Sequence, residues 1–342
     1  MRGALAARAE ALLARHWWLP QGTWLARGLA PLALLYGFLR RHLAAGVDPA
    51  PLPVPVLVVG NVIAGGAGKT PTVIALVRAL QAAGHHPGVI SRGYGRQGDG
   101  VREVADGDSA EQVGDEPLLL RHRCAVPVWV GRQRVAVARA LCQRHPAVDV
   151  IVSDDGLQHG ALPRRAELVV FDERGIGNGR LLPAGPLREP WPAAPSPLRR
   201  VLYSAGQAST AVPGALARRT LGRAWPLLAW RSGDSSAAVA LASLSDRPLL
   251  AVAGIAAPEK FFSMLEDAGL AITRCALPDH HAYANLPWPA GTGDVITTEK
   301  DAVKLAGRAL RGTRVWVVPL DLQLPADLVA DLIALLFPAP AP

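Results

Sequence analysis

A lysine–threonine pair preceded by glycines is the first place where this sequence could do chemistry. The run VLVVGNVIAGGAGKTP, Val56 to Pro71, takes an apolar strand pattern into Gly65-Gly66-Ala67-Gly68, then Lys69-Thr70, then a helical pattern. Glycines let successive backbone N–H groups turn toward phosphate oxygens, and a helix N-terminus adds positive charge. In such a cradle Lys69 reaches the β- and γ-phosphates of ATP, and Thr70 ligates Mg²⁺. The strict GxxxxGK[ST] spacing fails at its first position, Ile63. A second chemical signal is the strand-like run from Val148 that ends in Asp154-Asp155. An acid at the end of such a strand can hold Mg²⁺ beside a phosphate cradle. Gly156-Leu157-Gln158-His159 comes next at the same sheet edge and adds polar groups.

Three further constellations carry charge or protons. Gly114-Asp115-Glu116-Pro117 opens a helix. Its acids either compensate the helix dipole or supply a carboxylate that accepts a proton from an attacking hydroxyl. Pro278-Asp279-His280-His281-Ala282-Tyr283 gathers polar groups in one loop, and adjacent histidines lack the i,i+4 spacing of a zinc helix. Thr297-Thr298-Glu299-Lys300-Asp301 ends a strand, and either touches nucleotide or caps a helix. Gly93-Tyr94-Gly95-Arg96-Gln97-Gly98 matches GxGxxG, but turn formers come after it where a dinucleotide fingerprint needs a helix. The stretch reads instead as a substrate loop with Arg92 and Arg96 available for anionic groups.

The elements that must position these groups are legible as apolar runs. Strands are predicted at 56–60, 88–91, 127–130, 148–153, 168–171 and 201–203, with helices at 70–83, 116–123 and 134–144. That alternation predicts an α/β fold with a mainly parallel sheet. A Gly/Pro/Arg-rich stretch over 173–198 reads as a long ordered loop. A second, smaller α/β unit is expected over 225–337, with strands at 249–254, 294–297 and 315–319 and helices at 258–268 and 326–337. Residues 51–224 form the expected phosphate-binding domain, and 338–342 a tail.

The 342 residues carry a net charge of +8, and half of them are hydrophobic. Such composition excludes wholesale disorder. Three cysteines without a CxxC exclude a disulfide framework. The charge suits an anionic partner, and no nucleic-acid motif or stacking platform accompanies it. Residues 1–50 hold six arginines against Glu10 and Asp48, and three of the nine tryptophans. Residues 4–15 read as a helix. A span over 16–39 would bury Arg27, at about 2.5–3.5 kcal/mol, and Pro20, Gly22 and Pro31 interrupt it. An amphipathic segment on an anionic membrane surface fits better, with Trp17, Trp18 and Trp24 at headgroup depth and Leu35, Phe38 and Leu39 dipping inward.

Together these motifs resemble the tetraacyldisaccharide 4'-kinase family of lipid A biosynthesis. The stretches that carry the resemblance are VGNVIAGGAGKTP (59–71), SRGYGR (91–96), VGDEP (113–117), DDGLQH (154–159), NGRLLPAGPLREP (178–190), PDHHAY (278–283) and TTEKDAVK (297–304), in order along nearly the whole chain. The resemblance implies a P-loop fold of two α/β units around the active site, and phosphorylation by ATP and Mg²⁺ of the 4'-hydroxyl of an acylated glucosamine disaccharide 1-phosphate. It implies a peripheral enzyme on the cytoplasmic face of the inner membrane, and no obligate protein partner is evident. Carried over by motif, Gly65, Gly66, Ala67, Gly68, Lys69 and Thr70 bind ATP, and Thr70, Asp154 and Asp155 bind the metal. Asp115 is the implied catalytic carboxylate, with His280 or His281 as its partner and Lys69 at the phosphates. Arg92, Gln158, His159, Arg188, Glu189 and His281 fall on the substrate side. The alternative is a membrane-associated P-loop ATPase acting as a partner-regulated switch. Such proteins carry a lysine before the glycine pair, where this chain has Ala64.

Overall fold

The structure, a computed structural model, describes residues 15–19, 22–44, 51–305 and 307–339. In chain order its main elements begin with α1 (Ala30–Ala44), β1 (Val56–Gly60), α2 (Lys69–Ala82), β2 (Pro87–Ser91), β3 (Arg102–Glu103) and α3 (Asp115–Cys124). Next come β4 (Val128–Val130), α4 (Arg134–Arg144), β5 (Val150–Asp154), β6 (Ala166–Phe171), β7 (Arg199–Tyr203) and β8 (Ala215–Leu216). The last are β9 (Leu249–Ala253), α5 (Pro258–Asp267), β10 (Ile272–Ala276), β11 (Asp294–Thr298), α6 (Glu299–Ala302), β12 (Arg314–Val318) and α7 (Ala326–Leu336).

The chain divides into two compact units. One comprises Met1–Ile90, Arg134–Arg218 and Leu324–Pro342, and the other Ser91–Gln133 and Arg219–Gln323. This differs from the continuous division at residue 224 that the sequence suggests. The segment carrying SRGYGR and VGDEP groups with the later residues because α3 packs on α6 and Arg123 pairs with Glu299 and Asp321. Helix α7 returns to the first unit, where it packs on α2 and β6 and its Leu328, Leu332 and Leu336 are buried.

In the first unit the strands run β2-β5-β1-β6-β7-β8, and all of these pairs are parallel. Strands β1, β5 and β6 are buried along their whole length. Helices on both faces of a parallel sheet require that, so these strands read as unbroken apolar runs. Helix α2 buries Val73, Ile74, Leu76, Val77 and Leu80 at helical spacing. β1 lies between β5 and β6, while the chain leaves it for β2 beyond β5. Such a switch point opens a crevice at the carboxyl ends of the strands.

In the second unit β12, β11, β9 and β10 are parallel neighbours, and Trp225–Pro226 adds an antiparallel edge on β12. Phe261, Phe262 and Leu265 of α5 pack with Ala251, Ala253 and Ile296 in its core. β10 is absent from the sequence expectation. As an edge strand reading ITRCA it is half-exposed or exposed throughout, so it lacks an apolar run.

The expected helix over 4–15 lies outside the described residues except for Arg15, which is helical. Trp24–Gly28 and α1 are helical, and Pro31 sits in the first turn of α1, where the missing N–H costs nothing. The expected break falls beside it, since the helix Trp24–Gly28 ends before α1 begins at Ala30. Leu32, Leu34, Leu35, Phe38 and Leu39 of α1 are exposed, as is Trp24 at 78%. Trp17 and Trp18 depart from the headgroup expectation. The Trp17 indole donates to the Pro183 carbonyl at 2.9 Å, and Arg174 stacks on Trp18. No helix among the described residues is long and apolar enough to cross a membrane.

Candidate active site

The phosphate cradle grows out of β1. Gly65 and Gly68 adopt φ of +88° and +82°, a region that side chains disfavour. Gly68 is the N-cap of α2, and the first turn of that helix holds no acid. Its positive end is therefore free for phosphate. Lys69 is buried, with its ammonium 3.4 Å from Asn61 Oδ1 and 3.5 Å from Asp155 Oδ1. Asn61 also donates to the Gly65 carbonyl at 3.0 Å, tying the loop to its strand. Ile63, the departure from the strict motif, is fully buried and forms an antiparallel bridge with Leu187. Ala64 N–H donates to the Pro186 carbonyl, and Arg188 N–H to the Val62 carbonyl, each at 2.7 Å. An apolar residue stands there because the start of the cradle is zipped to the 186–188 segment.

That zipper delivers the substrate-side candidates to the cradle. The Arg188 guanidinium lies 3.2 Å from Asp155, and Gln158 Nε2 donates to the Asn61 carbonyl at 3.2 Å and to Glu189 at 3.3 Å. Glu189 pairs with Arg40 of α1 at 2.7 Å, and Tyr36 donates to the Arg188 carbonyl at 3.0 Å. Burial raises the Asp155 carboxyl, but Lys69 and Arg188 outweigh it and hold the group below its ordinary value. Asp155 is one of five non-glycine residues with positive φ among those described. Asp154, paired in register with Val59 of β1, is almost fully buried. The Thr70 hydroxyl and the two carboxylates are hard oxygen donors, a set that fits Mg²⁺ shared with phosphates and water. No cluster of three acidic, His or Cys ligands occurs among the described residues. A phosphate-shared magnesium site does not need one. His159 lies in the turn after β5, where its carbonyl accepts from Arg164 at 2.5 Å.

The proton-handling candidates belong to the second unit. The 93–95 loop abuts the start of α3, since a Cβ on Gly93 would lie 2.9 Å from the Val113 carbonyl oxygen and one on Gly114 3.0 Å from that of Tyr94. That approach explains Gly93 of SRGYGR and Gly114 of VGDEP. No helix succeeds the GxGxxG stretch, as expected, since irregular chain leads from it into β3, and Arg92 is exposed there. Asp115 is buried, with Oδ1 accepting from the Glu116 N–H at 2.9 Å and Oδ2 lying 2.9 Å from His280 Nδ1. His280, at φ +58°, also meets the Tyr94 ring at 5.3 Å. His281 turns elsewhere, with its ring edge-on to Tyr283 at 5.0 Å. The structure thus brings His280, and not His281, to the carboxylate. Burial raises the Asp115 carboxyl, but the His280 hydrogen bond and the charges of Lys300 and Lys304 prevail and lower it. The same hydrogen bond lifts His280 above the ordinary imidazole value, against burial and Lys300. The pair lines a cavity of about 950 Å³ with Tyr94, Leu118, Trp230 and Lys304.

Sequence reasoning missed Asn61, Arg40 and Lys304. Asn61 carries a local signal, since it directly follows the strand that feeds the glycines. Lys300 lies in α6 and Lys304 in the turn that follows it.

A glycine-rich strand-to-helix turn, a buried lysine and strand-end acids on a parallel sheet define a P-loop phosphotransferase. The chain belongs to the tetraacyldisaccharide-1-P 4'-kinase family, whose sequence model matches residues 25–336. It is 55% identical to the tetraacyldisaccharide 4'-kinase of Leptothrix cholodnii over 289 residues, 83% of each chain. It is 53% identical to that of Methylibium petroleiphilum over 322 residues, 91% of this chain and 89% of the relative. A crystal structure of LpxK from Aquifex aeolicus in complex with ATP superposes with a TM-score of 0.74 at 26% identity, covering 92% of this chain and 100% of that one.

Proposed function

We propose that this chain transfers the γ-phosphoryl group of ATP to the 4'-hydroxyl of a tetraacylated glucosamine disaccharide 1-phosphate. The observation that carries the reading is the Asp115–His280 pair. A buried carboxylate kept ionised beside an imidazole, on the wall of a large cavity, is equipped to take a proton from an alcohol. A hydrolytic switch has no need of an alcohol-deprotonating pair. In the first unit the glycine cradle and Lys69 bind the β- and γ-phosphates. Thr70, Asp154 and Asp155 would hold Mg²⁺, which when bound neutralises charge building on the phosphate oxygens. Asp115 accepts the proton of the sugar hydroxyl, and His280 holds the carboxylate in place through Nδ1. Arg188, Glu189, Gln158, His159, Arg92 and His281 are assigned to the acceptor side.

An acylated acceptor stays in its bilayer, so the enzyme must work at the lipid surface. The exposed apolar side chains of α1 with Trp24, flanked by Arg27 and Arg41, support peripheral docking on an anionic membrane. We assign that membrane to the cytoplasmic face of the inner membrane, where ATP is available. The test is transfer of labelled γ-phosphate from ATP into a lipid fraction supplied with the disaccharide 1-phosphate. Labelled bis-phosphorylated lipid is the expected product. Release of free phosphate alone would favour a switch and overturn the proposal.

A further inference from the structure

The TTEKDAVK stretch is left by its sequence between nucleotide contact and helix capping. Capping accounts for Thr298, whose hydroxyl accepts from the Asp301 N–H at 3.2 Å. It does not account for the two lysines. The Lys304 side chain is 7% exposed, with Nζ 3.8 Å from Asp115 Oδ2 and 3.4 Å from Asp301 Oδ1. Asp301 is itself anchored, since its Oδ2 accepts from the Gly254 N–H at 3.0 Å and from the Thr298 hydroxyl at 2.7 Å. A Cβ at Gly254 would lie 2.8 Å from Asp301 Oδ1, so only glycine permits this approach. Lys300 Nζ lies 3.1 Å from Glu116 Oε1, 3.5 Å from Asp279 Oδ1 and 3.4 Å from His280 Nε2. An ammonium has hydrogens to give and no lone pair. Nε2 of the neutral ring must therefore accept, which leaves the ring hydrogen on Nδ1, facing Asp115.

We propose that Lys300 and Lys304 are positioning residues for the Asp115–His280 pair. Lys304 keeps the carboxylate charged from behind, and Lys300 fixes the imidazole tautomer from its far nitrogen. This rests on the phosphoryl-transfer reading above. The surrounding charges support the sign. Asp115 faces His280, Lys300 and Lys304, and Asp301 balances Lys304, whose ammonium also lies 5.6 Å from the Tyr283 ring centroid. His280 also faces Asp279 at 3.8 Å and the Tyr94 ring. Removing Lys304 takes away a cation and uncovers Asp301, and both effects make Asp115 easier to protonate.

The experiment measures lipid phosphorylation against pH for the full chain and for Lys304→Met and Lys304→Arg. A cation within 4–6 Å shifts a carboxylate by about one unit or more. The acid limb of kcat is therefore expected to move up by about one pH unit in Lys304→Met, with unchanged KM for ATP, and to return in Lys304→Arg. A rate loss equal at every pH, or a rise confined to the acceptor KM, would overturn the role of Lys304. The unsubstituted chain gives a test that needs no variant to fold. In ¹⁵N-histidine spectra above the His280 titration, Nδ1 is expected protonated and Nε2 bare, and the reverse tautomer would overturn the role of Lys300. Asp115→Asn separates the two levels. Full activity there would sink the function itself. An inactive Asp115→Asn beside an unmoved acid limb in Lys304→Met sinks only the lysine assignment.

Discussion

Replacing Asp115 by Asn keeps the shape of the side chain and its bond to the Glu116 N–H, removes the charge and turns the oxygen that faces His280 into an NH2 donor. In the parent chain the carboxylate is held below its ordinary value, so it is ionised across the neutral range and available as a base. A positioned general base is worth about 10²–10⁴ in rate, or about 3–5.5 kcal/mol at ~1.4 kcal/mol per decade. Lys304 and Lys300 keep Asp301 and Glu116 as partners, so neither is left as a bare buried cation. The cost to stability should therefore stay near ~1–3 kcal/mol, small enough for the variant to remain folded. His280 loses its largest raising influence and should titrate at lower pH. The assay is transfer of labelled γ-phosphate to lipid, paired with a thermal melt and an NMR titration of His280. A folded Asp115→Asn chain turning over within about threefold of the parent, against the decades expected of a lost base, would refute the reasoning.

Other perturbations read different parts of the molecule. Lys69→Ala should abolish most turnover and weaken ATP binding in equilibrium dialysis, while Asp155 keeps its Arg188 partner and the fold survives. Restoring the motif glycine by Ile63→Gly should cost about 3–5 kcal/mol in denaturant unfolding, because a fully buried isoleucine is lost from the bridge to Leu187. Gly114→Ala meets the Tyr94 carbonyl and a φ of +96°, so it should lower kcat by displacing Asp115 and leave ATP binding untouched. The His280 pKa is raised, so its share of stability is present below the ordinary imidazole pKa and fades as pH rises through the folded value. The Asp115 share runs the other way, fading as pH falls through its lowered value, and melts of His280→Ala and Asp115→Asn against pH should show the two opposite slopes. Leu35→Glu with Phe38→Glu should reduce sedimentation with anionic liposomes at least tenfold, since a buried Leu or Phe contributes about 1.5–3 kcal/mol.

Local signals survived translation into structure well. The cradle, the strand ending in Asp154 and the buried strands of the first unit are contiguous in sequence, and burial on both faces marks those strands strongly. What sequence hid is what depends on distant contacts. Lys304 acts because α3 packs on α6, and nothing within a few residues of Lys304 reveals that Asp115 faces it. β10 escaped because an edge strand need not be apolar. The choice between His280 and His281 turns on backbone conformation, which adjacent identical residues do not encode. Ile63 looked like a defect in a motif because its partner, Leu187, lies more than a hundred residues away.

The pairing of 62–64 with 186–188 has a consequence for engineering. A nucleotide loop transplanted from another ATP-using protein brings its own first glycine and loses the backbone bridge that holds the segment of Arg188 and Glu189. Such a graft can go on recognising ATP while misplacing the side chains we assign to the acceptor side. Exchange between relatives therefore has to move both segments as one cassette, although they are far apart in the gene.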